Sequence, residues 1–284
     1  EFPSVSILIP TRDNRSILKK CVESILQNTD YPNYEVIIID NESKKIETKK
    51  YFEEIKNLDV IRVIEFEEEF NYSKINNFAV QQTESDVVIL LNDDTEIIST
   101  FWLRDLVSNC IRDDIGCVGP KLLYPNDTIQ HAGIVLGIGG VAGHQGKGEK
   151  ATSTVNFSRL NVSHNCSAVT GACLAVKRQV YLEVGGLDEQ NLKVAFNDVD
   201  FCLRISQLGY RNLYLPYVRI YHHESFSRGS DKSKVNKNRF QNEITYMVNK
   251  WGSLLKSDPY YNPNLTLMKE DFSLSFPPRC NDIT

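Results

Sequence analysis

Four short and nearly unbroken aliphatic runs in the N-terminal third constrain this chain more than any other feature. They occupy residues 5–10, 35–40, 60–65 and 87–92. Continuous apolar runs of this length are typical of strands that are covered on both faces, as in parallel sheets. Stretches with helical spacing of apolar residues separate the runs. The pattern therefore predicts strands and helices that alternate around a right-handed parallel sheet.

The remainder of the chain has a different pattern. Residues 122–169 are rich in glycine and in short β-prone pieces, which indicates an antiparallel or loop-rich insert. The patterns that follow predict helices at 178–184 and 199–208, strands at 212–215 and 218–221, and a last helix at 240–251 that packs on the core.

Charge and composition exclude several classes of protein. Acidic residues outnumber basic ones 37 to 32, and the net charge of -5 gives no reason to expect a nucleic-acid partner. The longest aliphatic run is far shorter than the roughly 20 residues of a membrane-spanning helix. No secretion signal is evident, so we expect a cytoplasmic protein. The seven cysteines lack CxxC spacing, which favours buried thiols over zinc ligands or disulfides.

The residues that end the predicted strands are strongly polar, and several are acidic, at the edge where open α/β sheets bind ligands. Asp93 and Asp94 end the fourth run, and adjacent carboxylates beside a buried strand repel each other unless a cation offsets them. Mg²⁺ or Mn²⁺ suits such oxygen ligands, although a solvated turn or helix cap explains the pair equally well. Asp40 and Asn41 end the second run, where they would bind a base or ribose hydroxyl or form an Asx turn.

Two later segments also carry candidate chemistry. Asp198 and Asp200 open a predicted helix, and the apolar Phe196 and Phe201 beside them make either acid a candidate proton acceptor. The alternative is that both acids only complement the helix dipole.

The second of these segments contains a histidine pair. His222 and His223 are adjacent in a predicted strand and therefore point to opposite faces, so one of them can ligate a given ion. Arg228 in the polar segment that follows would close over a diphosphate by bidentate hydrogen bonding.

The glycine-rich segment at residues 137–148 neither follows the first strand nor opens a helix, which argues against a phosphate loop. A flexible lid or an acceptor-facing loop fits it better, with His131, His144 and Lys147 as polar contacts.

Seven segments, taken in order, resemble the family 2 glycosyltransferases. They lie at residues 5–14, 35–43, 70–80, 87–97, 170–189, 197–204 and 221–225. The resemblance implies an α/β GT-A fold, in which a mostly parallel central sheet is flanked by helices. It implies a Rossmann-like nucleotide-sugar-binding half at residues 1–118, an acceptor-binding and catalytic half at 119–230, and a C-terminal helical extension at 231–284.

The same resemblance implies residue roles. Asp198 matches the carboxylate that deprotonates the acceptor, although Asn197 stands where a glutamate often precedes it. Asp94 matches the metal-binding end of the D-x-D motif, in which Asn92 replaces the first acid, and His222 matches a histidine that completes the metal site, with His223 as the alternative. The implied donor-binding residues are Pro10, Thr11, Arg12, Asp40, Asn71, Lys74, Asn92, Asp93 and Arg228, and the implied acceptor-binding residues are Gly171, Asn197 and His144.

The implied activity is an inverting transfer that depends on Mn²⁺ or Mg²⁺. The donor would be a UDP- or dTDP-sugar such as galactose or rhamnose, and the acceptor a glycan or lipid-linked saccharide in bacterial surface polysaccharide synthesis. Other glycosyltransferase modules are expected partners. The alternative is a non-catalytic glycan-binding or scaffold module. A cluster of basic residues lies near the C-terminus. It forms a solvated face or holds the protein at the inner face of the cytoplasmic membrane. Its members are Lys232, Lys234, Lys237, Arg239 and Lys250.

Overall fold

The computed structural model describes residues 2–224 and 234–279, with side chains in the second range described from residue 236. Arg228, Lys232, Cys280 and the side chain of Lys234 lie outside the described residues. None of the described helices is long and apolar enough to span a membrane. The other six cysteines are buried free thiols, as predicted.

Strands and helices alternate through the first half of the chain and become less regular after it. The strands are β1 Val5–Thr11, β2 Tyr34–Asp40, β3 Ile61–Glu65, β4 Val87–Leu91, β5 Thr95–Ile97, β6 Ile115–Leu123, β7 Ile129–His131, β8 Ile134–Leu136, β9 Ala142–His144, β10 His164–Cys166, β11 Cys173–Lys177 and β12 Arg211–His222. The helices are α1 Arg15–Asn28, α2 Ile46–Ile55, α3 Tyr72–Gln81, α4 Trp102–Cys110, the single turn α5 Val155–Ser158, α6 Arg178–Glu183, α7 Asn197–Gln207 and α8 Lys234–Trp251.

One large sheet contains ten of these strands. Its main path runs β10-β12-β6-β11-β4-β1-β2-β3, with β5 paired to β12 and β7 paired to β6. The pairs among β3, β2, β1 and β4 are parallel, whereas β11 lies antiparallel between β4 and β6. The predicted α/β fold with a central helix-flanked sheet is confirmed. The parallel pairing that the aliphatic runs predicted holds for the first four strands, and the sheet is mixed beyond them.

The aliphatic runs form buried strands because both faces of the sheet are covered. In β1, Ile7 and Ile9 pack on one face with Leu18 and Ile25 of α1, while Leu8 packs on the other face with Ile75 of α3. Alternate residues of each strand thus enter two separate cores, which is why the runs are apolar at every position.

The second half of the sheet departs from the predicted elements. The two short strands predicted around residue 216 are one strand, β12, with a register shift between Leu215 and Arg219. Pro216 lies in this irregular stretch, where its missing N–H costs no ladder hydrogen bond. β6 and β11 were not predicted, because their glycine, proline, lysine and alanine residues interrupt the aliphatic pattern.

Helix α8 packs on the core through a buried acid. Asp200 is fully buried, and its carboxylate accepts hydrogen bonds from Arg204 Nε at 2.7 Å and from Trp251 Nε1 at 2.8 Å. Lys250 Nζ lies 2.7 Å from the same carboxylate. The Asp200 carboxylate is therefore bound by two cationic side chains and one indole N–H. It joins α8 to α7 and does not face a cleft.

Candidate active site

Two neighbouring clefts open at the carboxyl ends of β1 and β4. The larger cleft has a volume of about 740 Å³, and Asp94, His144, Asp198 and His222 are among its lining residues. The smaller cleft has a volume of about 360 Å³ and is lined in part by Pro10, Thr11, Arg12, Asn41 and Asp93. Tyr72, Asn92 and Val194 line both clefts, so the two share a wall.

The acids after β4 separate between the two clefts. Asp93 Oδ2 accepts a hydrogen bond from Thr11 Oγ1 at 2.7 Å. Burial, and to a smaller extent the Asp94 charge, raise the pKa of Asp93 to about 7, although the Thr11 hydroxyl acts in the opposite direction. Asp94 lies in the larger cleft, where its Oδ1 is 2.9 Å from His222 Nε2. β5 follows these acids directly, so they do not cap a helix.

A hydrogen-bond chain fixes the tautomer of His222. Glu224 Oε2 accepts a hydrogen bond at 3.0 Å from Gln130 Nε2, which turns Gln130 Oε1 toward His222 Nδ1 at 2.6 Å. Because an amide oxygen only accepts, His222 must carry a proton on Nδ1. Its Nε2 then directs a lone pair toward the Asp94 carboxylate oxygen 2.9 Å away, and a cation would be attracted to both atoms.

This arrangement fits a divalent metal as a partial binding site. The donor set is one carboxylate oxygen and one imidazole nitrogen, and a hydrogen-bonded opposite ring N–H is typical of metal-binding histidines. In the described part of the chain, no group of three or more His, Cys, Asp or Glu side chains is arranged to hold a metal. Mg²⁺ and similar ions often take only one or two protein ligands and complete their shell with phosphate and water.

Backbone N–H groups orient the Asp198 carboxylate at the start of α7. Oδ2 accepts from Gly171 N at 2.8 Å, and Oδ1 accepts from Val199 N at 2.8 Å. Tyr72 holds the same turn by donating its hydroxyl to Gly171 O at 2.7 Å. Phe196, two residues before Asp198, has a left-handed φ of 59°, a costly conformation for a bulky residue that is often found beside functional groups.

Gly171 and Asn197 both line the larger cleft, and each holds a structural contact. Gly171 uses its N–H on Asp198, and Asn197 Nδ2 donates to Val194 O at 3.1 Å. His144 also lines this cleft, and its Nδ1 lies 2.9 Å from His131 Nδ1. Burial lowers the pKa of His144 to about 4, with a smaller contribution from Lys147.

In the smaller cleft, Asn41 carries a polar atom that the described residues do not use. Asn41 is 1% exposed, and its Nδ2 donates to the carbonyls of Phe66 and Glu68. Its Oδ1 is buried without a hydrogen-bond partner among the described residues. Leaving such an atom unpaired costs roughly 1–3 kcal/mol.

Several predicted site residues lie outside the linings of both clefts. Asp40 Oδ1 accepts from Ser43 N at 2.8 Å, a local hydrogen bond to the third residue on rather than the two-residue Asx turn that was the alternative. Asn71 caps α3 by accepting from Lys74 N at 3.0 Å, and Lys74 Nζ pairs with Glu68.

His223, the alternative to His222 as a metal ligand, does not line either cleft. Its Nε2 lies 2.9 Å from Glu96 Oε2. Arg228 lies outside the described residues.

Sequence reasoning missed Gln130, Glu224 and Tyr72 as members of this site. Gln130 precedes His131 in the glycine-rich part of the chain, and Glu224 follows the histidine pair, so both lay within segments already recognised as polar. Their positions alone gave no sign of their pairing, because Gln130 and Glu224 are 94 residues apart.

The chain matches a known family over most of its length. The sequence profile of the family described as "Glycosyltransferase like family 2" matches residues 3–242. Among solved structures, the chain is similar to GalNAc-T7 in a crystal structure with UDP, GalNAc and Mn²⁺. The two superpose with a TM-score of 0.72 at 20% sequence identity, over 90% of this chain and 49% of the GalNAc-T7 chain. That likeness shows that the fold is the GT-A fold.

Two curated relatives extend beyond this chain. The uncharacterized protein y4gI of Sinorhizobium fredii is 46% identical over 98% of this chain and 31% of its own length. The O-antigen biosynthesis protein RfbC of Myxococcus xanthus is 35% identical over 96% of this chain and 21% of its own length. The chain thus spans about a third or less of either relative.

Proposed function

Since the chain belongs to glycosyltransferase family 2 and is a glycosyltransferase, we propose that it transfers a sugar with inversion from a nucleoside-diphosphate donor to a saccharide hydroxyl. The observation that carries the proposal is the convergence of Asp94, His222 and Asp198 on one cleft. These residues come from three distant parts of the chain. A proton acceptor and a site for a cation are the two functions that such a displacement requires.

In this scheme Asp198 accepts the proton of the acceptor hydroxyl while that oxygen bonds to the anomeric carbon of the donor sugar. The bond from that carbon to the diphosphate oxygen breaks in the same step, and no covalent enzyme intermediate forms. The two backbone N–H groups that donate to Asp198 fix the orientation of its carboxylate at the cleft. They leave further lone pairs on each oxygen for the acceptor.

Asp94 and His222 would hold Mn²⁺ or Mg²⁺, which when bound neutralises charge on the diphosphate leaving group. The Gln130 and Glu224 side chains support this role because they keep the His222 Nε2 lone pair directed at the cleft. Asn92 Nδ2, 3.3 Å from His222 Nε2, lies in the wall between the two clefts and would contact the donor. The metal-bearing structure of GalNAc-T7 supports the assignment by analogy.

The smaller cleft would bind the nucleoside. Its lining by Pro10, Thr11 and Arg12 at the end of β1 is consistent with this use, since ligands bind at the carboxyl ends of such strands. Uracil and thymine each carry an N3–H, which the unpaired Asn41 Oδ1 would accept once ligand binding exposes that oxygen, and such a contact fits a UDP- or dTDP-sugar. Asp40 would act through the turn beside this cleft, and Asn71 and Lys74 through the placement of α3.

The setting that we propose is cytoplasmic assembly of a bacterial surface polysaccharide, on a glycan or lipid-linked acceptor. The name of RfbC, an O-antigen biosynthesis protein, supports this setting. Because the relatives are three or more times longer than this chain, further modules are the expected partners.

A panel of nucleotide sugars tests the proposal. We expect one UDP- or dTDP-sugar to be consumed when Mn²⁺ is present, faster with a saccharide acceptor, and with inverted anomeric configuration in the product. Chelation by EDTA should abolish the reaction. Binding of glycans without turnover of any donor would contradict the enzymatic proposal and favour a scaffold module instead.

A further inference from the structure

Two histidines at the base of the larger cleft share a hydrogen bond. His131 at the end of β7 is fully buried, and His144 at the end of β9 lines the cleft. Their Nδ1 atoms are 2.9 Å apart, and the ring planes meet at 82°. At this distance one nitrogen donates a proton and the other accepts it.

A backbone amide sets the direction of this hydrogen bond. Gly133 N donates to His131 Nε2 at 3.3 Å, so that nitrogen carries no proton. Burial lowers the pKa of His131 well below its usual value, which keeps the ring neutral. A neutral imidazole without a proton on Nε2 carries it on Nδ1, and His131 is therefore the donor to His144.

The tautomer of His144 follows from that of its neighbour. Its Nδ1 accepts the His131 proton, so its own proton lies on Nε2, at the opposite side of the ring. Among the residues that the structure describes, His144 Nε2 has no hydrogen-bond partner. The charged and titratable groups that act on the ring are His131, Lys147, Asp198, Glu224 and His222. The main chain holds the residue in place, because His144 N donates to Glu270 Oε1 at 2.8 Å.

We propose that His144 is a fixed, neutral N–H donor that binds an oxygen atom of the acceptor saccharide. This inference rests on the proposed function and gives His144, already an expected acceptor contact, a defined tautomer and a donor role that sets the orientation of the acceptor. The nitrogen that carries the proton in a neutral imidazole has no free lone pair, so it donates a hydrogen bond and does not act as a base. His144 therefore binds a saccharide oxygen while Asp198 accepts the hydroxyl proton. His144 lines the larger cleft together with Asp198 and does not line the smaller cleft, which argues against the nucleoside as its ligand and for the acceptor beside the proposed base.

Imidazole tautomers can be measured directly in the unmodified protein. Long-range ¹H–¹⁵N spectra of ¹⁵N-histidine-labelled protein at pH 7 should show His131 protonated on Nδ1 and His144 protonated on Nε2. Substitution of each histidine by glutamine assigns the signals. A His144 ring protonated on Nδ1, or on both nitrogens, would overturn the proposal.

Two amide variants of His144 separate the proposed donor from a structural role. The side-chain nitrogen of His144→Gln lies near the position of Nε2, whereas that of His144→Asn lies near Nδ1. We expect His144→Asn to raise KM for the acceptor about tenfold, as loss of one hydrogen bond does, and His144→Gln to restore most of it. KM for the nucleotide sugar should change less in both.

Equal losses in the two variants, or a larger change in KM for the nucleotide sugar, would contradict the assignment of the acceptor as the ligand. If the wild-type protein consumes no nucleotide sugar, the proposed function fails by itself. The spectra then still decide whether His144 presents an Nε2–H.

Discussion

The two clefts are built in different ways. At the smaller one, Thr11 and Asp93 lie at the ends of adjacent parallel strands, and their spacing follows from the sheet ladder. At the larger one, Gln130, His131, Asp198 and Glu224 come from turns, helix ends and short strands, and hydrogen bonds among them set their directions. Groups of the first kind act mainly through their charge and position. Groups of the second kind also depend on which atom carries a proton.

The largest effect is expected at Asp198. Asp198→Asn removes the proton acceptor while keeping the side-chain volume, and turnover should fall at least ~100-fold, the range of a positioned base. Donor binding should persist, because the metal pair is unchanged. Asp105→Asn on α4 is the matched control, with turnover near wild type. Transfer at the wild-type rate by Asp198→Asn would remove the residue from its proposed role.

The next effect concerns the acid at the end of β4. Asp94→Ala removes the carboxylate from the His222 pair, and calorimetry should show affinity for the nucleoside diphosphate with Mn²⁺ falling by at least ~10-fold. Affinity without Mn²⁺ should change little. The same loss with and without the ion would mean that Asp94 contributes to the fold of the cleft rather than to metal binding.

A smaller effect tests whether orientation matters at the larger cleft. Gln130→Met removes the acceptor that holds the His222 tautomer, and Mn²⁺ affinity, measured by electron paramagnetic resonance, should fall about tenfold. Glu224→Gln should retain most of the affinity, since its amide oxygen can still accept from Gln130. Unchanged Mn²⁺ binding in Gln130→Met would show that the sheet alone positions His222.

The smallest effect is on stability and has opposite signs for the buried acid Asp93 and for the buried histidines. Asp93 has a raised pKa, so the unfolded chain releases its proton first, and stability falls as pH rises from about 4 to about 7. His144 and His164 have pKa values lowered to about 4, so the unfolded chain binds their protons first. Their contribution is lost as pH falls from about 6.5 to about 4.

Urea unfolding between pH 4 and pH 7 in EDTA tests this contrast. The pH slope of the unfolding free energy should become more positive in Asp93→Asn and less positive in His144→Gln. Slope changes of the same sign in the two variants would contradict the assignment.

The aliphatic runs of the first half were sufficient to predict four strands, because a strand buried on both faces is apolar at every position. They also located Asp93 and Asp94, since ligands bind where such strands end. The resemblance to a family supplied the proposed roles of Asp198 and His222, which periodicity leaves open. The sequence showed that Asn41 follows Asp40 at the end of a strand. It could not show that Asn41 Oδ1 is buried without a partner among the described residues, because that depends on how the folded chain packs.

The missed elements share one physical cause. β6 and β11 lie in the middle of the sheet, yet glycine, proline and alanine break their apolar pattern, and close packing against neighbouring strands and helices decides their structure. The hydrogen bonds from Gln130 to Glu224 and from Gly133 to His131 depend on atoms brought together only after folding. A pattern of residues along the chain does not predict that the Gln130 amide oxygen faces His222 or that the Gly133 N–H faces His131.

The reversed direction of β11 has a consequence for how such an enzyme can diversify. Its first residue, Cys173, pairs with Leu91 at the end of β4, and Ala172 O accepts a hydrogen bond from Asn92 N at 3.0 Å. The start of β11 and the end of β4 are thus neighbours, about 4.8 Å apart as paired strands are in any sheet. Asp94 lies shortly after Asn92, and Gly171, which binds Asp198, directly precedes Ala172. Changes in the loops around the cleft can therefore alter which saccharides enter, while the spacing between β4 and β11 keeps Asp94 and Asp198 in place.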